Sequence, residues 1–117
     1  MIVYVSVTQG LYFLLTGVWA LADIRSFQKV TGPKTDLWLV KTVGVIVSVI
    51  GLTLIVAGFR GQVTLEIFIL ALGSAAALAG IDINYVAKRV ISPIYLADAA
   101  AEAILIIWWT LYWFNVL

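Results

Sequence analysis

Two carboxylic acids stand four residues apart in an otherwise apolar run, Ala97-Asp98-Ala99-Ala100-Ala101-Glu102-Ala103-Ile104. On a helix that spacing puts Asp98 and Glu102 on one face, one turn apart. Such a pair can bind a cation, pass a proton, or hold Mg²⁺ or Ca²⁺ through oxygen ligands. It can also act as general acid and base where the surroundings separate the two roles. Counted from Ser92 along a helix, Asp98 lies about 9 Å and Glu102 about 15 Å in, the latter near the middle of a bilayer. Tyr95 and Trp109 continue the same stripe. Asp82 and Asp23, each close to the end of an apolar stretch, are the other acids expected at the site. Lys41, about one turn into another stretch, is the natural counter-ion, with Arg25 as the second choice. The structural alternative is an interhelical salt bridge or hydrogen bond that orients the last helix.

The elements that must position these groups are hydrophobic helices. The chain has 117 residues, of which 64% are hydrophobic and 11% charged, against about 25% charged in an ordinary soluble domain. Four apolar stretches, about 3–22, 37–58, 63–85 and 93–114, each approach the length needed to cross a bilayer. The expected fold is all-α: one integral membrane domain, 1–117, built as a four-transmembrane-helix bundle. Ala20-Leu21-Ala22 resembles a small-residue cleavage site, but no Lys or Arg precedes the first stretch, so it reads as a retained helix. With His 0 and Cys 0 there is no His acid–base chemistry, thiol chemistry or His/Cys metal site. No catalytic residue and no cofactor is assigned. The net charge of +1, without a basic face, excludes nucleic acid as a partner.

Orientation follows from the short breaks. Arg25, Lys29, Lys34 and Lys41 belong to the first break and the helix start after it, Lys88 and Arg89 to the third, and Arg60 alone to the second. This asymmetry places the first and third breaks in the cytoplasm and both termini outside. The expected location is the cell membrane, the inner membrane for a bacterial chain. The tight Phe59-Arg60-Gly61-Gln62 break reads as a helical hairpin, and Ser92-Pro93 as a helix start. Trp108, Trp109, Tyr112 and Trp113 suit an interfacial belt. Asp36 and Glu66 sit where a negative charge complements a helix N-terminus. Lys88 and Arg89 set topology and could hold anionic headgroups.

The two basic breaks resemble each other. Asp23-Ile24-Arg25 with Gly32-Pro33 parallels Asp82-Ile83-Asn84 with Ser92-Pro93, one residue being inserted. This suggests two parallel two-helix repeats, with Asp23 and Asp82 facing each other as mates. Chance likeness between short basic turns is the alternative. The small-residue run from Gly73 to Gly80 predicts a central third helix. Gln9, Thr16 and Asp23 form a seam expected to point inward, as do Gly44, Ser48, Gly51 and Gly58. Val45-Ile46-Val47 and Ile67-Phe68-Ile69 are expected to face lipid.

Gly10-Leu11-Tyr12-Phe13-Leu14-Leu15-Thr16-Gly17, the Gly-Pro loop and the glycine spacing from Gly44 to Gly58 resemble the DoxX-like small four-helix bacterial membrane proteins. The likeness covers about the first half of the chain. It implies a four-helix bundle, often tied to other membrane or redox proteins, and nothing about sites.

The expectation drawn from the residues is a polar pocket open to the cytoplasm. Asp23, Lys41, Asp82, Tyr95, Asp98 and Glu102 would build it, and it would bind or conduct a proton, a cation or a small cationic amphiphile. A chain this small is expected to form a homo-oligomer or to join a larger membrane complex. The alternatives are an accessory subunit and a membrane enzyme acting on a lipid-like substrate, with Tyr85 or Tyr95 assisting the acids.

Overall fold

The computed structural model describes residues 2–114. Among them the chain is all-helical, without strands: α1 Ile2–Ala22, α2 Ile24–Thr31, α3 Leu37–Phe59, α4 Leu65–Ala87 and α5 Tyr95–Trp113. The four longer helices are long and apolar enough to cross a membrane. α5 begins after Pro93 rather than at it. Ser92 and Pro93 form the turn before the helix, where the Ser92 hydroxyl accepts the Ile94 N–H at 3.3 Å.

The first break is not simply a loop. Asp23 ends α1 and caps α2, its Oδ1 accepting the Ser26 N–H at 3.1 Å. Phe27 and Thr31, one turn apart, turn inward. The Phe27 ring stands edge-on to Trp19, with centroids 5.1 Å apart. Gly32, at φ 101°, then stops the helix in a conformation that favours glycine. The third break holds no such helix. There Arg89 takes the left-handed conformation at φ 60°, and the Val90 N–H reaches back to the Tyr85 carbonyl at 2.9 Å.

α1, not α4, is the central helix: it packs on α3, α5 and α2, while α5 packs on α4. The physical reason lies in which glycines meet a neighbour. A Cβ at Gly10 would fall 2.6 Å from the Gly51 carbonyl oxygen, and one at Gly44 would fall 3.1 Å from that of Gly17. The α1 and α3 backbones therefore touch along a glycine seam. Gly73 and Gly80 of α4 have nothing within 4 Å. That helix turns Ala71, Ala75 and Ala79 inward instead.

Between α1, α4 and α5 the core is closed by a polar chain. The Trp109 indole N–H donates to Gln9 Oε1 at 2.6 Å, and Gln9 Nε2 donates to the Ala71 carbonyl at 2.9 Å. Trp109 is thus fully buried and is no member of an interfacial belt. Trp113 stacks on Phe68 at 4.4 Å. Phe68, expected to face lipid, is buried in this cluster.

Candidate functional site

α3 and α5 both lean on α1 but do not pack on each other. Between them lies a cavity of about 480 Å³. Its wall reaches the loop end of the bundle at Val30, Thr31, Lys34, Leu39, Ile94 and Tyr95. The far wall is apolar and aromatic, from Val40, Val43 and Val47 of α3 to Tyr12, Phe13 and Trp19 of α1.

Three carboxyl groups line this cavity: Asp82 from α4, and Asp98 and Glu102 from α5. The i, i+4 spacing brings Asp98 and Glu102 to the same wall, and Tyr95 lines it one turn earlier. Glu102 is 1% exposed and Asp82 6%. Both Glu102 oxygens and Asp82 Oδ2 are buried without a hydrogen-bond partner. Asp98 differs, because the Tyr12 hydroxyl donates to its Oδ1. Tyr12 is itself in place because Gln9, Tyr12 and Thr16 follow helical spacing on α1, where the Thr16 hydroxyl donates to the Tyr12 carbonyl at 2.7 Å.

Two expected members are elsewhere. Asp23 is exposed and spends its carboxylate on the α2 cap. It does not line the cavity, whereas Asp82, inside α4, is buried and does. Lys41 is exposed and does not line the cavity. At about 100° per residue, Val40, Val43 and Val47 fall on one flank of the Gly44 line and Lys41 on the other.

The cation at the site is Lys34, which the sequence reading had used only to set topology. It follows the Gly32-Pro33 turn, and its ammonium donates to the Thr31 and Gly32 carbonyls at 3.2 and 3.1 Å. That is a favourable place for a positive charge, at a helix C-terminus. The same ammonium stands 5.1 Å from the Tyr95 ring centroid, within cation–π range. Tyr12 is the other residue missed, although its place on the Gln9–Thr16 seam was a usable signal.

The site is thus rich in acceptors and poor in donors. It has carboxyl oxygens at its inner end, aromatic rings along its walls and one committed ammonium at its rim. Among the described residues no three acidic side chains come close enough to hold a metal ion. Compared with protein-family models, curated proteins and solved structures, the chain matches none.

Proposed function

We propose that the chain is a multi-pass membrane protein that binds an organic cation with an apolar body in the cavity between α3 and α5. The observation that carries this reading is the set of unpartnered, buried carboxyl oxygens on Asp82 and Glu102 at one end of an apolar cavity. Ionisable groups at membrane depth are costly and usually mark a ligand or ion pathway. An inorganic ion would use the acids and leave the aromatic wall idle. A cation with a hydrocarbon body uses both, and a cavity of about 480 Å³ has the size of a small-molecule site.

The four long helices, and the exposed Val, Ile and Leu side chains along α3, support placement in the bilayer. The surplus of Lys and Arg in the breaks after α1 and α4 supports an inside-facing loop end, so that the cavity opens to the cytoplasm and both termini lie outside.

Calorimetric titration of the purified chain in dodecyl maltoside with phenethylamine and phenethyl alcohol tests the charge requirement. The two probes share a body and differ in the charge of the head. The amine binds, and the alcohol binds at least about tenfold more weakly. Equal affinities, or no binding of the amine, would overturn the reading.

Lys34→Gln removes the only positive side chain among the residues that line the cavity. A like charge near an entering cation costs on the order of 1 kcal/mol, so the variant binds phenethylamine about fivefold more tightly at low salt. The gain shrinks as ionic strength rises, because Lys34 is only half-buried and its field is screened. An unchanged affinity would show that the ammonium serves the α2 terminus alone.

A further inference from the structure

We infer that the cavity selects cations whose head carries several N–H donors, a primary ammonium or a guanidinium, over quaternary heads of the same charge. This rests on the cation-binding reading and adds which head the site recognises.

The argument is an inventory of hydrogen-bonding capacity. Three buried oxygens on residues that line the cavity accept nothing: Glu102 Oε1, Glu102 Oε2 and Asp82 Oδ2. Apart from the Tyr95 hydroxyl at the loop end, the side-chain donors in the wall are already engaged. The Tyr12 hydroxyl donates to Asp98, the Thr16 hydroxyl to the Tyr12 carbonyl, and the Lys34 ammonium to the end of α2. Donors to the buried acids at the inner end must therefore come with the ligand.

A buried acceptor left empty is a standing cost that only an N–H or O–H relieves. A primary ammonium brings three donors. A guanidinium brings five in a planar fork, and two of its parallel N–H groups match the two oxygens of one carboxylate such as Glu102. A quaternary head neutralises the charge and leaves every oxygen unbonded. Sites built to hydrogen-bond a ligand discriminate strongly against analogues that lack the donor.

The test is a titration series on the intact chain in dodecyl maltoside with phenethylamine, phenethylguanidine and phenethyltrimethylammonium. The body and the unit charge are constant, and only the donors change. The amine, the guanidine or both bind at least about tenfold more tightly than the quaternary probe, and the order of the first two identifies the preferred head. A quaternary probe that binds as tightly as both others would overturn this inference and leave the cation-binding reading standing. Binding of none of the three would overturn both.

Discussion

Glu102→Gln costs a cationic ligand about 3 kcal/mol, a hundredfold in Kd, and leaves the unfolding midpoint in detergent unchanged or raised. The two halves of that outcome have different causes. Glu102 is the least exposed carboxyl of the cavity, at 1%, so little water screens its attraction for a bound cation. Its removal takes away most of that attraction. Neither of its oxygens has a partner, so the substitution breaks no bond in the unliganded fold. A buried polar group without a hydrogen-bond partner is already a cost to the unliganded fold, and the substitution does not add to it by removing a partner.

A carboxylate that served only to orient α5 would give the reverse pattern, a lower midpoint with affinity untouched. Asp98→Asn has a smaller effect on binding, because the Tyr12 hydroxyl already donates to that side chain and can still donate to the amide oxygen. Asp23→Asn and Lys41→Gln leave binding unchanged, since both residues lie outside the cavity and are exposed. Titration calorimetry and thermal unfolding of the four variants supply both readouts.

The acids of the site were legible because depth and spacing are one-dimensional properties. A carboxyl in the middle of an apolar run is conspicuous, and a four-residue interval fixes a shared helix face whatever the tertiary packing. The four long helices were legible for the same reason.

What failed needed a second dimension. Lys41 lies at the correct depth, but its rotation about α3 is set by which side of the glycine seam meets α1. Periodicity alone places it beside Gly44 without saying which flank faces the cavity. Asp23 was misplaced because the first break was read only as a short basic break between apolar stretches. An Asp followed by an eight-residue amphipathic segment and a Gly is a helix with both caps, and Asp23 is spent on the first of them. Lys34 followed from the same oversight, since its position makes sense only once α2 has a C-terminus to hold it. The run from Gly73 to Gly80 misled in the opposite direction. Small residues permit close packing without compelling it, and the contact is made where two such faces coincide, on α1 and α3.

Gly51→Leu destabilises the chain by about 3 kcal/mol or more and abolishes ligand binding with it, whereas Gly80→Ala is neutral or stabilising by up to about 1 kcal/mol. At Gly51 even the Cβ would lie 2.6 Å from the Gly10 carbonyl oxygen and 2.6 Å from the Leu14 nitrogen. Both are backbone atoms of α1, and neither can yield by a rotamer change. The helices must part, and a core that interdigitates at crystal-like density does not absorb such a shift locally. The neighbouring crossing of Gly17 and Gly44 lines the cavity, so separation there moves the aromatic wall of α1 away from the valines of α3. At Gly80 nothing lies within 4 Å, and a methyl group there only reduces the freedom of the unfolded backbone. Thermal unfolding in dodecyl maltoside read beside phenethylamine titration separates the two positions. Equal responses to substitution at Gly51 and Gly80 would mean that α1 and α3 do not meet along this seam, and the cavity they frame would lose its back wall.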